Sequence, residues 1–269
     1  MASSLLGSGF AVMRLNLRGA DPGREFASST YSANCNSDIF PVLEKARKIS
    51  ETLGIQEKSY VPLFGVGISL GGTILLNACL NSIDSSLLKP FLDGLVCISS
   101  PLDLAASSIS IERARNRFYQ QWLLKRLMKQ TLNDPFGITD TERDALTKNN
   151  EKNVRIISSI RDFDSEITAP RWGFKNVDDY YVQASPINSL RRNQFDNVKR
   201  ILLIHSLDDP WVPSEATETL YDKNKSRGLG SLDIILTSYG GHNGFHGPNG
   251  CWGDVAVNSW LMQVSSRNA

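Results

Sequence analysis

The chain has 269 residues, 41% of them hydrophobic and 21% charged, enough to bury a full core and too apolar for a disordered polymer. With 29 basic against 28 acidic residues the formal net charge is +1, and no basic stripe points to nucleic acid, so no nucleic-acid partner is expected. The cysteines Cys35, Cys79, Cys97 and Cys251 are scattered without a Cys-x-x-Cys pair, the opening residues lack a basic n-region, and no stretch reaches the roughly 18 apolar residues of a transmembrane segment, which together predict a cytoplasmic chain.

In chain order, Ala11 to Asn16 is a short apolar run that reads as a buried strand. Ser37 to Leu53 follows, with Ile39, Val42, Leu43, Ala46 and Ile49 at helical spacing, a face fit to pack on a sheet. Val61 to Gly67 reads as a second strand and leads into Gly67-Ile68-Ser69-Leu70-Gly71-Gly72, after which Leu70 to Leu80 is helical. Leu92 to Ser99 is a third strand, Val198 to His205 a fourth, and Leu232 to Thr237 a fifth. This alternation predicts an α/β fold with a mainly parallel sheet covered on both faces, its ligands beyond the carboxyl ends of the strands.

Between the third and fourth strands lies an insertion of roughly 90 residues, far longer than an ordinary connection. We expect residues 1–100 and 190–269 to form the core and residues 101–189 a mostly helical cap. Ile111, Ala114, Phe118, Trp122 and Leu127 read as one apolar face, either ordinary packing or the wall of an acyl pocket, with Phe118, Trp122 and Trp172 as candidate substrate-binding residues. Lys125, Arg126 and Lys129 read as the wet side of the same helix, and Asp140 to Asn150 as an exposed helix or loop.

An apolar strand running into Gly-x-Ser-x-Gly and then a helix describes a nucleophile elbow, a strained turn that presents Ser69; the rival reading is a plain glycine-rich turn. In the elbow reading Gly67 and Gly71, two residues either side of the serine, are expected to be the positions that cannot carry side chains. A serine hydroxyl needs a base, and the base needs an acid to fix its tautomer. Of the three histidines, His242 stands in a glycine-flanked loop after the last strand and is the candidate base, whereas His205, at a strand end, reads as a hydrogen-bonded near-core residue. Spacing and flanking glycines make a metal pair of His242 and His246 unlike any helical site, so no metal and no cofactor is expected. The turn after the penultimate strand offers Asp208 and Asp209 as the acid; Asp209 fits Asp-x-x-Val-Pro, with Asp208 open as the alternative. The order Ser69, Asp209, His242 is that of α/β-hydrolases, where the amide after the nucleophile, here Leu70, serves the oxyanion.

The segments Leu15-Asn16-Leu17-Arg18-Gly19, Gly67 to Gly72, Ser99 to Leu104, Asp162-Phe163-Asp164, Gly173-Phe174, Asp179-Tyr180-Tyr181, Asp208-Asp209-Pro210 and Gly240 to Phe245 resemble the YheT-type branch of the α/β-hydrolase superfamily, hydrolase family 4. The resemblance runs from about residue 1 to about residue 262. It implies a serine carboxylic-ester hydrolase acting on a small-molecule acyl ester or lipid through a Ser-Asp-His triad, with acyl transfer to alcohols as an alternative. Against that pattern the first strand and the His-Gly loop ahead of the Ala11 run are missing, and Met1 to Gly9 resembles the end of the following helix. Such a loop would supply a second oxyanion donor, whose loss costs about 10² to 10³ in kcat. Either the Ala11 strand closes directly onto the Val61 strand, or the chain is a fragment of a longer protein; the second is our expectation, and an impaired hydrolase fold serving as a binding module is the corresponding rival function.

Overall fold

A computed structural model describes residues 1–80, 91–147, 157–192, 198–227, 230–248 and 250–266. In chain order its elements are α1 (Ala2–Gly7), α2 (Asn36–Glu57), β1 (Phe64–Ile68), α3 (Leu70–Leu80), β2 (Gly94–Ile98), α4 (Leu104–Ile111), α5 (Arg117–Leu132), α6 (Asp140–Thr147), α7 (Ile160–Phe163), α8 (Ala169–Arg171), α9 (Val177–Ala184), α10 (Ile187–Arg191), β3 (Ile201–Ser206), α11 (Glu215–Arg227), β4 (Leu232–Thr237), β5 (His246–Gly247), β6 (Gly250–Cys251) and α12 (Trp252–Ser266). They divide into a first unit of residues 1–13, 36–103 and 185–269 and a second of residues 14–35 and 104–184. No described helix is long and apolar enough to cross a membrane.

The first unit holds a four-stranded parallel sheet in the order β1-β2-β3-β4. β2 and β3 are buried along their whole length, which is why they read as unbroken apolar runs rather than as an alternation. Val96 and Ile98 of β2, Leu202 and Ile204 of β3, and Val66 of β1 turn to one face, where they pack with Leu5 of α1 and Val257, Trp260, Leu261 and Val264 of α12. Each such buried aliphatic side chain contributes about 1.5–3 kcal/mol relative to an exposed one. α3 packs on β1 and β2 and in turn meets α2. At the amino ends of the strands the fully buried Asp93 gathers Arg47 at 3.0 Å, Lys199 at 2.6 Å and the Leu63 amide at 2.8 Å.

The Ala11 to Asn16 strand does not form. Phe10 and Val12 reach the core by packing, with the Phe10 and Phe64 rings 6.1 Å apart, and no described ladder joins them to β1. A strand needs a neighbour for its N–H and C=O groups as well as apolar side chains, and here Met13 and Leu15 are left exposed. Direct closure of this run onto the Val61 strand, one of the two outcomes left open by the sequence, is therefore not what the chain adopts.

The second unit is helical around a small core of Leu124, Ala145, Leu146, Ile157, Ile160, Phe163 and Ile167. Residues 14–35 belong to it: Ser29 N–H donates to Asp134 at 2.7 Å, Ala33 N–H to the Tyr180 hydroxyl at 2.9 Å, and the Trp172 indole to Thr30 O at 2.9 Å. The expected apolar face of five residues is broken. α4 ends at Ile111 and α5 starts at Arg117, so helical spacing carried across residues 112–116 loses its phase; Leu124 is buried while Phe118 and Trp122 point outward. α6 is the exposed helix expected from Asp140, although Ala145 and Leu146 tuck into the core; residues 148–150 lie outside the described residues.

Candidate active site

At the carboxyl end of β1 the chain turns sharply into α3, with Ser69 at φ +53°. A residue with a Cβ rarely occupies that region, at a cost of roughly 1–2 kcal/mol. Two bonds hold it there: Ser69 N–H donates to Ile98 O at 2.8 Å, and Gly72 N–H to Ser69 O at 3.0 Å. A Cβ on residue 67 would stand 2.4 Å from Gly72 Cα, and one on residue 72 would stand 2.0 Å from Ser100 Oγ. Gly71 has no atom within 4 Å of that position. The close approach that shapes the turn thus lies between Gly67 and Gly72, which corrects the expected pair Gly67 and Gly71. Leu70 opens α3, so its amide has no acceptor within its own helix and sits at the positive end of the helix dipole.

His242 comes from the loop after β4. Its Nε2 lies 2.9 Å from Ser69 Oγ and its Nδ1 2.9 Å from Asp209 Oδ2. An ionised carboxylate only accepts, so the proton sits on Nδ1, and the bare Nε2 accepts from the serine hydroxyl. Asp209, at the turn after β3, is buried, and its second oxygen accepts from the Trp211 amide at 2.9 Å and the Val212 amide at 3.0 Å. Burial acts to raise this carboxyl, but the His242 imidazole and the two amides outweigh it and hold the group below the ordinary aspartate range. The backbone-capping role and the imidazole-orienting geometry fall on the same residue, one oxygen each. Asp208 stands elsewhere: its Oδ1 accepts from Gly241 N–H at 2.8 Å.

Two neighbours, Trp211 and Ser206, were not singled out by sequence reasoning. Trp211 lies with its ring centre 4.8 Å from the imidazole. Ser206, the last residue of β3, donates to Gly241 O at 2.6 Å, so Ser206 and Asp208 grip both peptide groups of the residue before His242. Gly241 has φ +54° and Gly240 φ +154°, and a side chain on Gly240 would strike the Phe245 ring at 2.7 Å. The sequence signal for this grip was the double glycine beside a histidine, which marks a loop whose backbone is held in the left-handed region. His205 is the buried structural histidine expected: burial holds its imidazole below the usual value, and it donates from Nε2 to Val212 O at 3.1 Å while Nδ1 faces Thr217 Oγ1 at 3.2 Å. It thereby steadies the turn that supplies Asp209 with amides.

Of the candidate substrate residues, Phe118 is 88% and Trp122 53% exposed on the outside of α5, and Trp172 is held by its indole bond with Arg18 over the ring at 5.9 Å. All three lie in the second unit. Among the described residues no three His, Cys, Asp or Glu side chains converge as metal ligands.

A parallel sheet, a serine on the strand-to-helix turn after β1, and a carboxylate and histidine on the loops after β3 and β4 define an α/β-hydrolase fold. Solved structures agree: the Pyrococcus furiosus esterase Pf2001 superposes with a TM-score of 0.52 at 15% identity, over 97% of this chain and 73% of that one. Among curated proteins, the chain is 30% identical over 211 residues to the putative esterase YheT of Escherichia coli, covering 77% of this chain and 56% of that protein. It is 27% identical over 239 residues to human phospholipase ABHD3, covering 88% of this chain and 52% of that protein. The chain is a YheT-like homologue with the α/β-hydrolase fold, and it spans about half the length of the curated relatives it matches. No family profile matches it.

Proposed function

We propose that the chain is a serine carboxylic-ester hydrolase in which Ser69 is the nucleophile, His242 the general base and acid, Asp209 the residue that orients His242, and the Leu70 amide an oxyanion donor. The supporting observation is the unbroken relay of two 2.9 Å contacts from Ser69 through His242 to Asp209. Ser69 Oγ attacks the acyl carbonyl as its proton passes to His242 Nε2. The charge that develops on the carbonyl oxygen is met by the first amide of α3. Collapse breaks the C–O bond to the alcohol, which leaves with the proton from His242. Water then adds to the acyl-enzyme with His242 again as base, releasing the acid and restoring Ser69. Asp209 stabilises the imidazolium formed at each step and is not itself protonated.

Acyl esters, lipids among them, are the substrate class that fits this cycle, and the names esterase and phospholipase carried by the relatives support it. The buried, unbridged Cys35, Cys79 and Cys97 support a reducing, cytosolic setting. A chain-length series of p-nitrophenyl esters tests the reading. Wild type turns over, and Ser69→Ala falls by at least about 10⁴ in kcat/KM; equal turnover by the two proteins would refute it.

A further inference from the structure

α5 packs into the second unit through Leu124 and Thr131, with Leu123, Leu127 and Met128 partly covered. At about 100° per residue, Phe118, Trp122, Lys125 and Lys129 share the opposite face. All four are exposed, Phe118 at 88% and Trp122 at 53%. The 20 residues from Arg113 to Leu132 hold six cations, Arg113, Arg115, Arg117, Lys125, Arg126 and Lys129, and no carboxylate, in a chain whose net charge is +1. Arg117 opens α5 and Arg113 and Arg115 stand just before it; the first turn holds no acidic residue and no side-chain cap, and Glu112, the carboxylate just ahead, accepts from the Arg161 amide at 3.4 Å. Positive charge there is of the wrong sign for the helix dipole, so the helix itself gains nothing from the arrangement; an anion outside the protein does.

We propose that the outer face of α5 docks on an anionic lipid surface, with Phe118 and Trp122 entering the headgroup layer and Lys125, Arg126 and Lys129 meeting lipid phosphates and carboxylates. Aromatic rings among lysines and arginines are the composition of interfacial helices. A second copy of the chain is a poor occupant, because a two-fold contact would set this cationic face against itself. Single-stranded nucleic acid needs open aromatic faces to stack its bases. The Trp122 ring is already stacked with Tyr119 at 5.9 Å and covered by the Arg126 guanidinium at 5.0 Å, which leaves Phe118 as the open ring on this face, one platform where a strand needs a succession of them. The proposal does not depend on the catalytic reading, since docking is measured without turnover.

The test is co-sedimentation of the full chain with vesicles of phosphatidylserine and phosphatidylcholine in equal parts, against vesicles of phosphatidylcholine alone and in competition with poly(U) RNA. Wild type partitions onto the anionic vesicles more than about 25-fold better than onto the neutral ones, and added salt weakens the preference. Lys125→Ala/Lys129→Ala loses about 25-fold of that binding, roughly fivefold per cation. Lys125→Arg/Lys129→Arg retains it, and Phe118→Ser weakens binding to both kinds of vesicle while keeping the salt response. The lysine variants keep wild-type turnover of a soluble ester. Equal partition of wild type onto the two vesicles, anionic binding untouched in the double alanine variant, or displacement of the protein from vesicles by poly(U) would each overturn the proposal.

Discussion

Asp209 in the first unit is buried and Asp164 in the second half-buried, and the two units treat these carboxylates in opposite ways. Around Asp209 an imidazole and two backbone amides outweigh the cost of burial, and the group is held low. Around Asp164 burial wins: the Tyr181 and Thr168 hydroxyls and the charge of Arg161 oppose it, yet the carboxyl is pushed up to about 6. The difference lies in the donors. Fixed amides and an imidazole that can carry charge stabilise a buried anion, whereas neutral hydroxyls offset only part of its lost hydration. The unit that presents the candidate triad has its carboxylate organised for charge; the helical unit holds one under tension.

Removing charge from individual aspartates tests this contrast. The largest effect is expected at Asp209, where Asp209→Asn leaves the fold intact and presents the wrong partner to His242 Nδ1, lowering kcat by about 10⁴; steady-state kinetics on a soluble ester reads it. Next comes Asp93, also in the first unit and also held below its usual value, because the bonds from Lys199, Tyr60, Leu63 and the charge of Arg47 overcome burial. Asp93→Ala leaves the Arg47 and Lys199 cations without their shared partner and costs about 3–5 kcal/mol in urea unfolding. A folded pKa below the unfolded one means the stability Asp93 contributes is present above about pH 4 and is lost as pH falls through the folded value.

Asp164 has the reverse sign. Its unfolded value is near 3.9 and its folded value about 6, so the unfolded chain ionises first as pH rises. Stability therefore drops between about pH 4 and 6 and stays reduced above that, by up to about 3 kcal/mol. Asp164→Asn, whose amide oxygen can still accept from Tyr181, should raise the melting temperature at neutral pH and leave it unchanged below about pH 4; a drop at neutral pH would break the contrast. The smallest effect is at Asp208. Asp208→Ala frees the Gly241 amide and should lower kcat roughly tenfold with KM little changed, while Asp208→Asn keeps an acceptor and should stay within about twofold of wild type.

The first unit was the more legible in the sequence. α3 and β4 run over the expected residues, Leu70–Leu80 and Leu232–Thr237, because the elbow fixes where the helix starts and Leu232, Ile234, Ile235 and Leu236 keep β4 apolar along most of its length. The three candidate triad residues were also readable, since each occupies a turn after a strand where few polar side chains compete. What failed did so for local reasons. Gly71 and Gly72 look alike in sequence, and only the approach of Ser100 distinguishes them. The Ala11 run is apolar enough for a strand, but without a neighbouring strand only Val12 packs on the core, while Met13 and Leu15 stay exposed. In the second unit, a helix break at residues 112–116 undid a stripe that spacing alone supported, and the exposure of Phe118 and Trp122 depends on which side of α5 meets Leu146 and Phe163.

The central claim is that the Ser69 hydroxyl is the activated nucleophile of this fold. Intact-mass measurement and peptide mapping after treatment with a fluorophosphonate test it most directly. We predict one phosphonyl adduct, carried on Ser69, formed far more slowly in Asp209→Asn and absent in Ser69→Ala. An adduct of equal yield in Ser69→Ala, or none in the wild-type protein, would contradict the account.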